Sequence, residues 1–499
     1  MKKFLLIICA ALLIAGCGDD VKQINSIDDL KTAQIGAWPK CAYELKAREV
    51  LPEAQFVGLD FISDLVQNLK QRKIDAFVLG KTYVENLKFE GVDVDYLPQS
   101  LGDVPISYVF TKNERGQKLC NQMNEFLAKA EASGELDALR NKWLHSDESK
   151  RTFTKSNLSG ENGTLKVTTE AKGTPFEYLR DGQVVGFEVE LLDKFCAAYG
   201  YDYEIKVDLF ETMLIELTTG RIDIGMDAIE ILPEREKSML FANPTVIEQT
   251  VAVINPGTSG KENFFAALEH RIKTSLFDEN RWRMILEGAG RTLAITLTST
   301  IFGTLLALAA YMLYREGNRR VNKIIDEIYR TLQGVPTMVL LLIFYYVVFA
   351  NFDLPAIIVA IVVFSIVLSI TVFIMLKDGA ESISRGQTEA ALSLGYSGRR
   401  AFVKFILPQV VRNNFKQYQL ALNVTLLETA VVGYISVQDL TKMTDLIRAR
   451  TYDAFVPLIV AAVIYLLLSR LLLFVTDRIA RRIEPKSRIR AEIMECVKL

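Results

Sequence analysis

The residue types that most often carry catalysis or hold metals are sparse in this sequence of 499 residues. Only two histidines occur, so neither a zinc site nor histidine-based catalysis is expected. Residues Gly257 to Lys261 end in Gly-Lys but fail the spacing of a nucleotide-binding loop. The sequence predicts no enzyme activity, no metal site and no cofactor. Three cysteines lack metal-ligand spacing and are expected to be buried free thiols: Cys41, Cys120 and Cys196.

The thiol of Cys17 is a candidate for covalent modification. Two lysines precede the apolar run Phe4–Ala15, which is too short to cross a bilayer with ease. This run is followed by Gly16 and Cys17, and the stretch resembles a bacterial lipobox, with cleavage before Cys17 and acylation of its thiol. An ordinary secretory peptide with a chance cysteine is the alternative. In either case residues 1–17 are interpreted as a signal peptide, so the residues that follow are exported.

Glu428 is a carboxylate inside an apolar stretch, and ionisable groups in membrane spans are rare and usually functional. It is therefore a candidate for an intramembrane transport pathway, although a position near the end of a span would leave it merely solvated. It lies in the weakest of five predicted spans, each long enough to cross about 30 Å of hydrocarbon. These spans are Thr292–Tyr314, Gly334–Phe352, Leu354–Leu376, Gln417–Gln438 and Phe455–Thr476.

Charge and composition decide the arrangement around these spans. Residues 21–261 have the mixed composition of a soluble α/β protein, and the formal net charge of −2 gives no support for nucleic-acid binding. Lys and Arg cluster after the first, third and fifth spans, which places those loops and the tail 485–499 in the cytoplasm. The region before the first span is then outside, as the export signal also requires. Residues 263–288 are predicted to form an amphipathic helix at the outer interface, or else a soluble linker helix.

One cytoplasmic loop carries a specific motif. Glu389 to Gly395 read Glu-Ala-Ala-Leu-Ser-Leu-Gly, and Phe405 to Pro408 read Phe-Ile-Leu-Pro after nine further residues. We expect a short helix that Gly395 ends, with Pro408 ending the next helical stretch. A generic amphipathic connector is the alternative to a coupling role. The motif residues are Glu389, Ala390, Ala391, Gly395 and Pro408.

This pattern resembles the EAA loop of ABC importer permeases, and residues 282–484 resemble the polar amino acid branch of that family. The departure is Phe405, where the pattern has Ile. The resemblance implies an ABC permease transmembrane domain over residues 290–484. It also implies a separate ATPase subunit seated on the loop, and a second permease subunit, identical or different, because five spans cannot enclose a path alone.

The exported region resembles a periplasmic amino acid-binding protein in an unusual order. Residues 163–256 resemble its first lobe, with Thr174–Tyr178, Gly186–Leu191 and Leu232–Arg235 matching family segments. Residues 21–150 resemble the second lobe followed by the family's C-terminal helices, and residues 151–162 are a polar linker. We expect one circularly permuted domain. The alternative is two incomplete domains, perhaps completed by a partner chain.

The resemblance also suggests ligand-binding residues. It implies that Arg235 binds the α-carboxylate of the ligand, unless it pairs with Glu190 or Glu234 instead, and that Phe176 and Phe210 form aromatic walls or are plain core. Several positions depart from the family: Glu230, Leu232, Gly80 and the turn Lys40–Ala42. Asp227 or Glu230 is then expected to take an amine, and Lys40 or Lys81 the carboxylate. The candidates are Arg235, Phe176, Phe210, Asp227, Ala228, Glu230, Lys40 and Lys81.

The sequence therefore predicts two parts. A two-lobed, periplasmic binding protein-like α/β domain is followed by an all-α polytopic membrane domain with five spans. The predicted function is import of a small polar solute across a bacterial inner membrane. A ligand-gated or sensory membrane protein is the second hypothesis, although no effector domain follows the last span and a channel would not need the EAA motif. An enzyme is the third and has no supporting motif.

Overall fold

The computed structural model describes residues 24–256, 264–350, 352 and 354–483, without the side chains of 264–267 and 482–483. The predicted signal peptide, Cys17 and the cytoplasmic tail 485–499 lie outside the described residues. Within them, Cys41, Cys120 and Cys196 are buried free thiols, as predicted.

The first segment, residues 24–150, alternates short strands with helices and then ends in two helices. The strand β3 is buried at every residue, which is typical of a strand in the middle of a sheet. Helix α4 begins where the Asn113 side chain accepts the Gly116 N–H at 2.8 Å, and it ends at Gly134 with a φ of 76°. In order the elements are β1 Gln34–Ala37, α1 Ala42–Val50, β2 Gln55–Gly58, α2 Ile62–Lys70, β3 Ala76–Gly80, α3 Lys81–Phe89, β4 Asp95–Tyr96, β5 Gly102–Thr111, α4 Glu114–Ser133 and α5 Glu135–Trp143.

The second segment, residues 163–256, follows after a linker that packs against the domain. In that linker, the Lys155 ammonium lies 2.8 Å from Asp202, and the Ser156 N–H donates to Asp193. The elements of the second segment are β6 Thr164–Thr169, β7 Lys172–Gly173, β8 Glu177–Arg180, β9 Gln183–Val185, α6 Phe187–Tyr199, β10 Asp202–Val207, α7 Phe210–Thr218, β11 Ile224–Glu230, α8 Pro233–Glu236, β12 Met239–Phe241 and β13 Val246–Ile254.

Strands from both segments form one sheet of ten strands. The order is β10-β6-β11-β5-β13-β3-β1-β2, with β12 on β5 and β4 on β13. Pairing is parallel at both ends, in β6–β10–β11 and in β1–β2–β3, and antiparallel where β5 and β13 join them. The sheet therefore has two parallel lobes connected by two long strands. Lobe one contains β6, β10 and β11, and lobe two contains β1, β2 and β3. This is the predicted two-lobed α/β class.

The hydrophobic cores also mix the two segments. The largest cluster joins Phe77, Tyr108 and Trp143 of the first segment to Phe187 and Phe195 of the second. A second cluster, in lobe two, contains Ile24 from the start of the described chain, and Ile254 from the end of β13 packs against it. The two ends of the α/β region thus lie in the same lobe.

The membrane domain is entirely helical. A π turn, Phe344–Val348, extends α12, and another, Phe402–Ile406, connects α15 to α16. The turn Thr429–Ile435 is a 3-10 helix. The helices are α9 Phe264–Ile272, α10 Arg281–Glu316, α11 Arg319–Gln333, α12 Thr337–Ile343, α13 Ala356–Glu381, α14 Arg385–Ser393, α15 Gly398–Ala401, α16 Leu407–Glu428, α17 Leu440–Thr451 and α18 Phe455–Ile483.

Among the described residues, three stretches are long and apolar enough to cross a membrane: Leu268–Glu316, Ala356–Glu381 and Phe455–Arg481. Two further pairs of helices are each bent at a short break, and the number of candidate spans is five if each pair forms one span. The pair Arg319–Gln333 with Thr337–Val348 bends by 102°, and the pair Gly398–Ile435 with Leu440–Thr451 bends by 54°. The helical part of the predicted span Gly334–Phe352 is Thr337–Val348, and the bend lies at the start of that span. Pro336 lacks an N–H and disfavours a helical residue before it, so the chain turns there.

Two further expectations need correction. The predicted helix over residues 263–288 is interrupted at Glu279 and Asn280, whose φ angles are 51° and 52°, and the residues after this break belong to α10. Pro408 was expected to end a helical stretch but is the second residue of α16. Proline is tolerated in the first turn because the missing N–H would have no intrahelical partner there.

Candidate functional site

A cavity of about 750 Å³ lies between the two lobes and against the membrane domain. This is within the usual size of small-molecule sites. The first segment contributes mainly aromatic rings, at Trp38, Tyr43, Phe61 and Tyr83. The second segment contributes Glu170, Lys172, Glu177, Phe210, Asp227, Ala228, Glu230 and Arg235. The membrane domain contributes Leu342, Tyr346, Gly433, Tyr434, Lys442 and Asp445.

Strand ends place these groups around the cavity. Trp38 directly follows β1, and Glu230 is the last residue of β11. Both strands pair in parallel with neighbours, and the crevice outside the carboxyl ends of such strands is where ligands bind in open α/β sheets. The lining aromatic residues of the first segment were missed in the sequence. The position of Trp38 just after a strand was the available signal.

An irregularity in β11 directs Asp227 to the cavity. The register with β5 shifts between Gly225 and Ile229. Ala228 has a φ of 45°, a left-handed value that is uncommon for a residue with a Cβ. Its N–H donates to Glu188 Oε2 at 2.9 Å, and the Asp227 carboxylate accepts the N–H of the residue after β6. Such a bulge changes where a side chain points.

Arg235 has an acidic partner, Glu230. Its Nη1 lies 2.6 Å from Glu230 Oε2 and 3.1 Å from the Glu230 carbonyl oxygen. The guanidinium also lies over the Phe210 ring, 5.1 Å from the centroid. The two alternative partners considered above are engaged elsewhere, because Glu190 binds Lys142 and Glu234 binds Lys237. The cation that the resemblance assigns to a carboxylate is thus already neutralised within the protein.

A group of carboxyls lies beside this pair. Burial raises the pKa of Glu177 well above its usual range, and the nearby Asp227 and Glu188 carboxyls raise it further. Burial likewise raises the pKa of Asp227, with a contribution from Glu170, and raises that of Glu188 to about 7. Glu170 itself binds Lys172 at 2.7 Å. Among the residues that the structure describes, Asp227 and Glu177 have no ion-pair partner, so this end of the cavity can accept an amine.

The remaining predicted ligand residues do not line the cavity. Phe176 is fully buried behind Tyr83, with ring centroids 5.1 Å apart. Lys40 is exposed, and its backbone N–H donates to the Glu44 carboxylate. The Lys81 ammonium lies 3.8 Å from Glu85.

At Gly80 the resemblance would place an aspartate that holds the ligand amine, but the space beside Gly80 is filled. A Cβ at Gly80 would lie 2.6 Å from Glu248 Oε2 and 2.9 Å from the Tyr43 hydroxyl oxygen. The Glu248 carboxylate accepts the Thr82 N–H at 3.1 Å, and burial raises its pKa to about 7. The Glu248 carboxyl, from a distant part of the sequence, therefore lies close to where an aspartate carboxyl at position 80 would be.

Helix α17, Leu440–Thr451, here called the docking helix, contacts lobe two of the binding domain. Arg448 binds Asp64 at 2.8 Å and lies over the Phe61 ring at 4.5 Å. Directly after the helix, the Tyr452 hydroxyl accepts a hydrogen bond of 2.8 Å from the Asn86 amide. The docking helix thus closes one side of the cavity.

Arg450 extends this contact to lobe one. It is buried, and its guanidinium lies 3.0 Å from Glu90, 3.4 Å from Glu148 and 2.7 Å from Glu279. It also lies over the Tyr178 ring at 4.9 Å. One cation therefore neutralises carboxylates from lobe two, from the region before the linker and from the start of the membrane domain. Glu148 also pairs with Arg180 and Glu279 with Arg281, so Arg450 belongs to a network of ion pairs.

A third cation of the docking helix, Lys442, faces the cavity. Its side chain is 3% exposed, and its Nζ has no hydrogen-bond or ion-pair partner among the residues that the structure describes. Sequence analysis missed this residue, because its position in the fold and not its neighbours in sequence brings it to the cleft.

The EAA motif forms a small surface away from the binding domain. Helix α14, Arg385–Ser393, is followed by Gly395 with a φ of 82°, a left-handed value that glycine adopts readily. Glu389 and Ala390 are exposed, whereas Ala391 is buried. Leu394 is 76% exposed.

Glu428 is the last residue of α16. Its carboxylate accepts a hydrogen bond of 3.2 Å from the Thr337 hydroxyl. Both residues line a second cavity of about 520 Å³ at the bend before Thr337, with Gln333, Gly334, Val335, Pro336 and Val431.

Two stretches of the chain match protein-family models. Residues 165–346 match the bacterial extracellular solute-binding proteins, family 3. Residues 299–488 match the binding-protein-dependent transport system inner membrane component.

Curated proteins match the same two parts. The arginine transport system permease protein ArtQ of Bacillus subtilis is 28% identical over 202 residues, which is 40% of this chain and 92% of that protein. The L-cystine transport system permease protein TcyB of the same species is 26% identical over 215 residues, 43% of this chain and 92% of that protein. The L-cystine-binding protein TcyJ of Escherichia coli is 33% identical over 101 residues, 20% of this chain and 38% of that protein.

Proposed function

Since this chain belongs to the inner membrane components of binding-protein-dependent transport systems and carries a fused family 3 solute-binding domain, we propose that it imports a small polar solute. The solute is an amino acid or a related compound, and ATP is hydrolysed by a separate subunit. The main support is the cavity that both lobes share with the membrane domain. A solute held there already touches the protein that transports it.

The contacts of the docking helix support direct transfer within one chain. Its ion pairs reach lobe two and the region before the linker, and Arg450 lies over the Tyr178 ring of lobe one. The helix follows shortly after the turn Thr429–Ile435. That turn begins next to Glu428, whose cavity lies within the membrane domain. A path from the first cavity to the second would pass along this helix. Glu428 then acts on a cationic group of the passing solute.

The binding domain is proposed to be one circularly permuted unit. In support, β5 and β13 come from different segments yet are adjacent strands that connect the lobes. Its two new ends, near Ile24 and Ile254, lie in one cluster, and the linker 151–162 joins the former termini. In the rival arrangement, each segment would be completed by another chain.

A disulfide between the segments separates these alternatives. Asp103 and Gln249 are exposed and directly opposite each other in the β5–β13 ladder. Cα atoms of such pairs are about 4.5–5.5 Å apart, which a disulfide can bridge. Oxidised Asp103→Cys/Gln249→Cys protein should run as a single chain on a non-reducing gel. A covalent dimer, absent from both single variants, would favour the rival arrangement.

The EAA surface is proposed to bind the ATPase, and a second permease subunit completes the path. Leu394→Glu should abolish recovery of an ATPase when the full chain is purified from its native membrane. Phe89→Glu is the matched control, because Phe89 is a similarly exposed apolar side chain, 51% exposed, on the binding domain. Purification of the unmodified chain with no ATPase at all would contradict import and favour a sensor.

The binding domain is proposed to lie in the periplasm of a bacterial inner membrane, anchored by acylated Cys17. Phe89→Cys should react with a membrane-impermeant maleimide in cells whose outer membrane has been opened, whereas Leu394→Cys should react only after lysis. The reverse pattern would overturn the topology. A radioactive palmitate label that persists in Cys17→Ser protein would contradict acylation at that thiol.

A further inference from the structure

We propose that Lys442 of the docking helix is part of the solute-binding site and binds the carboxylate of a zwitterionic solute. The proposal rests on the proposed function, in which the cavity between the lobes receives the solute. Its consequence is that the binding domain by itself holds an incomplete site. The membrane domain of the same chain supplies the missing cation.

The first argument is the state of Lys442 itself. Its side chain is 3% exposed, and its Nζ has no hydrogen-bond or ion-pair partner within the described ranges. A buried ammonium without a partner is strongly unfavourable, so such groups are normally paired or bind a ligand. Lys442 lines the cavity, and an anionic group that enters the cavity would be its partner.

The charged groups around Lys442 are already engaged. Lys172 lies 2.7 Å from Glu170, Asp208 lies 2.9 Å from Lys206, and Asp445 lies 3.0 Å from Arg448. All of these carboxylates are near enough to attract Lys442, but within the described chain none forms an ion pair with it. The protein therefore holds Lys442 near acidic groups without neutralising it.

The second argument concerns Arg235. Arg235, Lys172 and Lys442 are the cations that line the cavity in the described part of the chain. Arg235 is bound to Glu230 at 2.6 Å, and Lys172 is bound to Glu170. Lys442 is the one that remains without an acidic partner. A solute carboxylate would therefore be attracted to the docking helix and not to the position that the resemblance suggests.

The third argument is the opposite wall. Asp227 and Glu177 line the same cavity, and neither carboxyl forms an ion pair in the part of the chain that is described. They can hold a protonated amine. The Tyr43 hydroxyl, also buried and lining the cavity, has no hydrogen-bond partner there either. A solute with an amine at one end and a carboxylate at the other would connect lobe one to the docking helix.

This geometry links solute binding to the membrane domain. The docking helix already contacts lobe two through Arg448, and the Arg450 guanidinium lies over the Tyr178 ring of lobe one. A carboxylate on Lys442 would add the solute to that set of contacts. Binding is then sensed within the chain by the helix that leads to the turn Thr429–Ile435.

The test compares ligands that differ only in the carboxylate. The full-length chain in lipid nanodiscs, without ATPase, is titrated calorimetrically with L-amino acids and with the amines that their decarboxylation gives. Lys442→Met should weaken binding of the amino acid on the order of 10- to 100-fold, the effect of one charge-assisted hydrogen bond. Binding of the matching amine should change by less than about threefold. Lys81→Met, which removes a cation that does not line the cavity, should leave both unchanged.

Thermal unfolding of the empty chain is a second, independent measurement. If Lys442 is a ligand-binding residue without a partner in the empty chain, Lys442→Met removes an unpaired buried charge and raises the midpoint temperature of unfolding. A structural lysine would instead lower it. A lower midpoint, or equal weakening of the amino acid and its amine, overturns the assignment. Wild-type protein that binds no member of either series contradicts the receptor function itself, and the assignment of Lys442 falls with it.

Discussion

Glu230→Gln should free the Arg235 guanidinium for a ligand. In the folded chain Arg235 Nη1 lies 2.6 Å from Glu230 Oε2, and the side chains are 15% and 9% exposed. The Glu230 carbonyl oxygen at 3.1 Å and the Phe210 ring would still hold the guanidinium in place after the substitution. The variant therefore removes the competing charge while the geometry is preserved.

The magnitude follows from the strength of a charged hydrogen bond. Such a bond contributes about 1.5–3 kcal/mol, which corresponds to roughly 10- to 150-fold in Kd. Little of this is screened by solvent, because both side chains are largely buried. Glutamine still offers a carbonyl acceptor to Arg235, so the free energy of unfolding should fall by only about 1 kcal/mol.

The assay is calorimetric titration of the full chain in nanodiscs with L-amino acids and the corresponding amines. Glu230→Gln should tighten binding of the amino acids, which carry a carboxylate, and leave the amines unchanged or slightly weaker. Glu234→Gln is the control, because Glu234 is 83% exposed and pairs with Lys237. Amino acid affinity that is unchanged or lower in Glu230→Gln would refute the idea that Glu230 blocks Arg235.

Three further predictions concern other parts of the chain. Arg450→Met should destabilise docking by about 1–3 kcal/mol, because Glu90 loses its charged partner whereas Glu148 keeps Arg180 and Glu279 keeps Arg281, and hydrogen exchange should then increase in the docking helix. Burial raises the pKa of Glu248 from 4.5 to about 7. Because the folded chain holds this proton more tightly than the unfolded chain, the free energy of unfolding falls as the pH rises from about 4.5 through 7. Glutamine does not ionise, so the free energy of unfolding of Glu248→Gln should not fall in this way. Its excess over the wild-type value, measured by thermal unfolding, should grow to about 3 kcal/mol between pH 5 and 8. Glu428→Gln should lower uptake by whole cells while solute binding to the purified chain is unchanged.

Each of these has a control. Arg115→Met removes an exposed ion pair with Asp223 and should leave hydrogen exchange in the docking helix unchanged. A parallel pH dependence of unfolding in Glu248→Gln and the wild type would show that this carboxyl ionises normally. Equal loss of binding and uptake in Glu428→Gln would place the residue in the folding of the chain and not in the path.

The outline of the fold was predictable because it depends on local pattern. Long uncharged runs locate the membrane domain, and alternating strands and helices predict the α/β class. The end of the EAA helix at Gly395 was likewise a local matter, since glycine tolerates the left-handed backbone found there. Helix bends were harder. Hydropathy over Gly334–Phe352 is high enough for a span, yet Pro336 and packing produce a turn of 102° within the pair.

The sequence by itself determined the division into an α/β domain and an apolar helical domain, the coupling motif, and the presence of Arg235, Asp227 and Glu230 near one strand end. Only the tertiary structure decided which groups remain available to a ligand. Glu230 neutralises Arg235, Glu248 and Tyr43 fill the space at Gly80, and Lys442 faces a cavity that is otherwise lined mostly by the binding domain. The physical reason is that charge pairing and burial depend on distances between residues far apart in the chain, which spacing in a sequence does not encode.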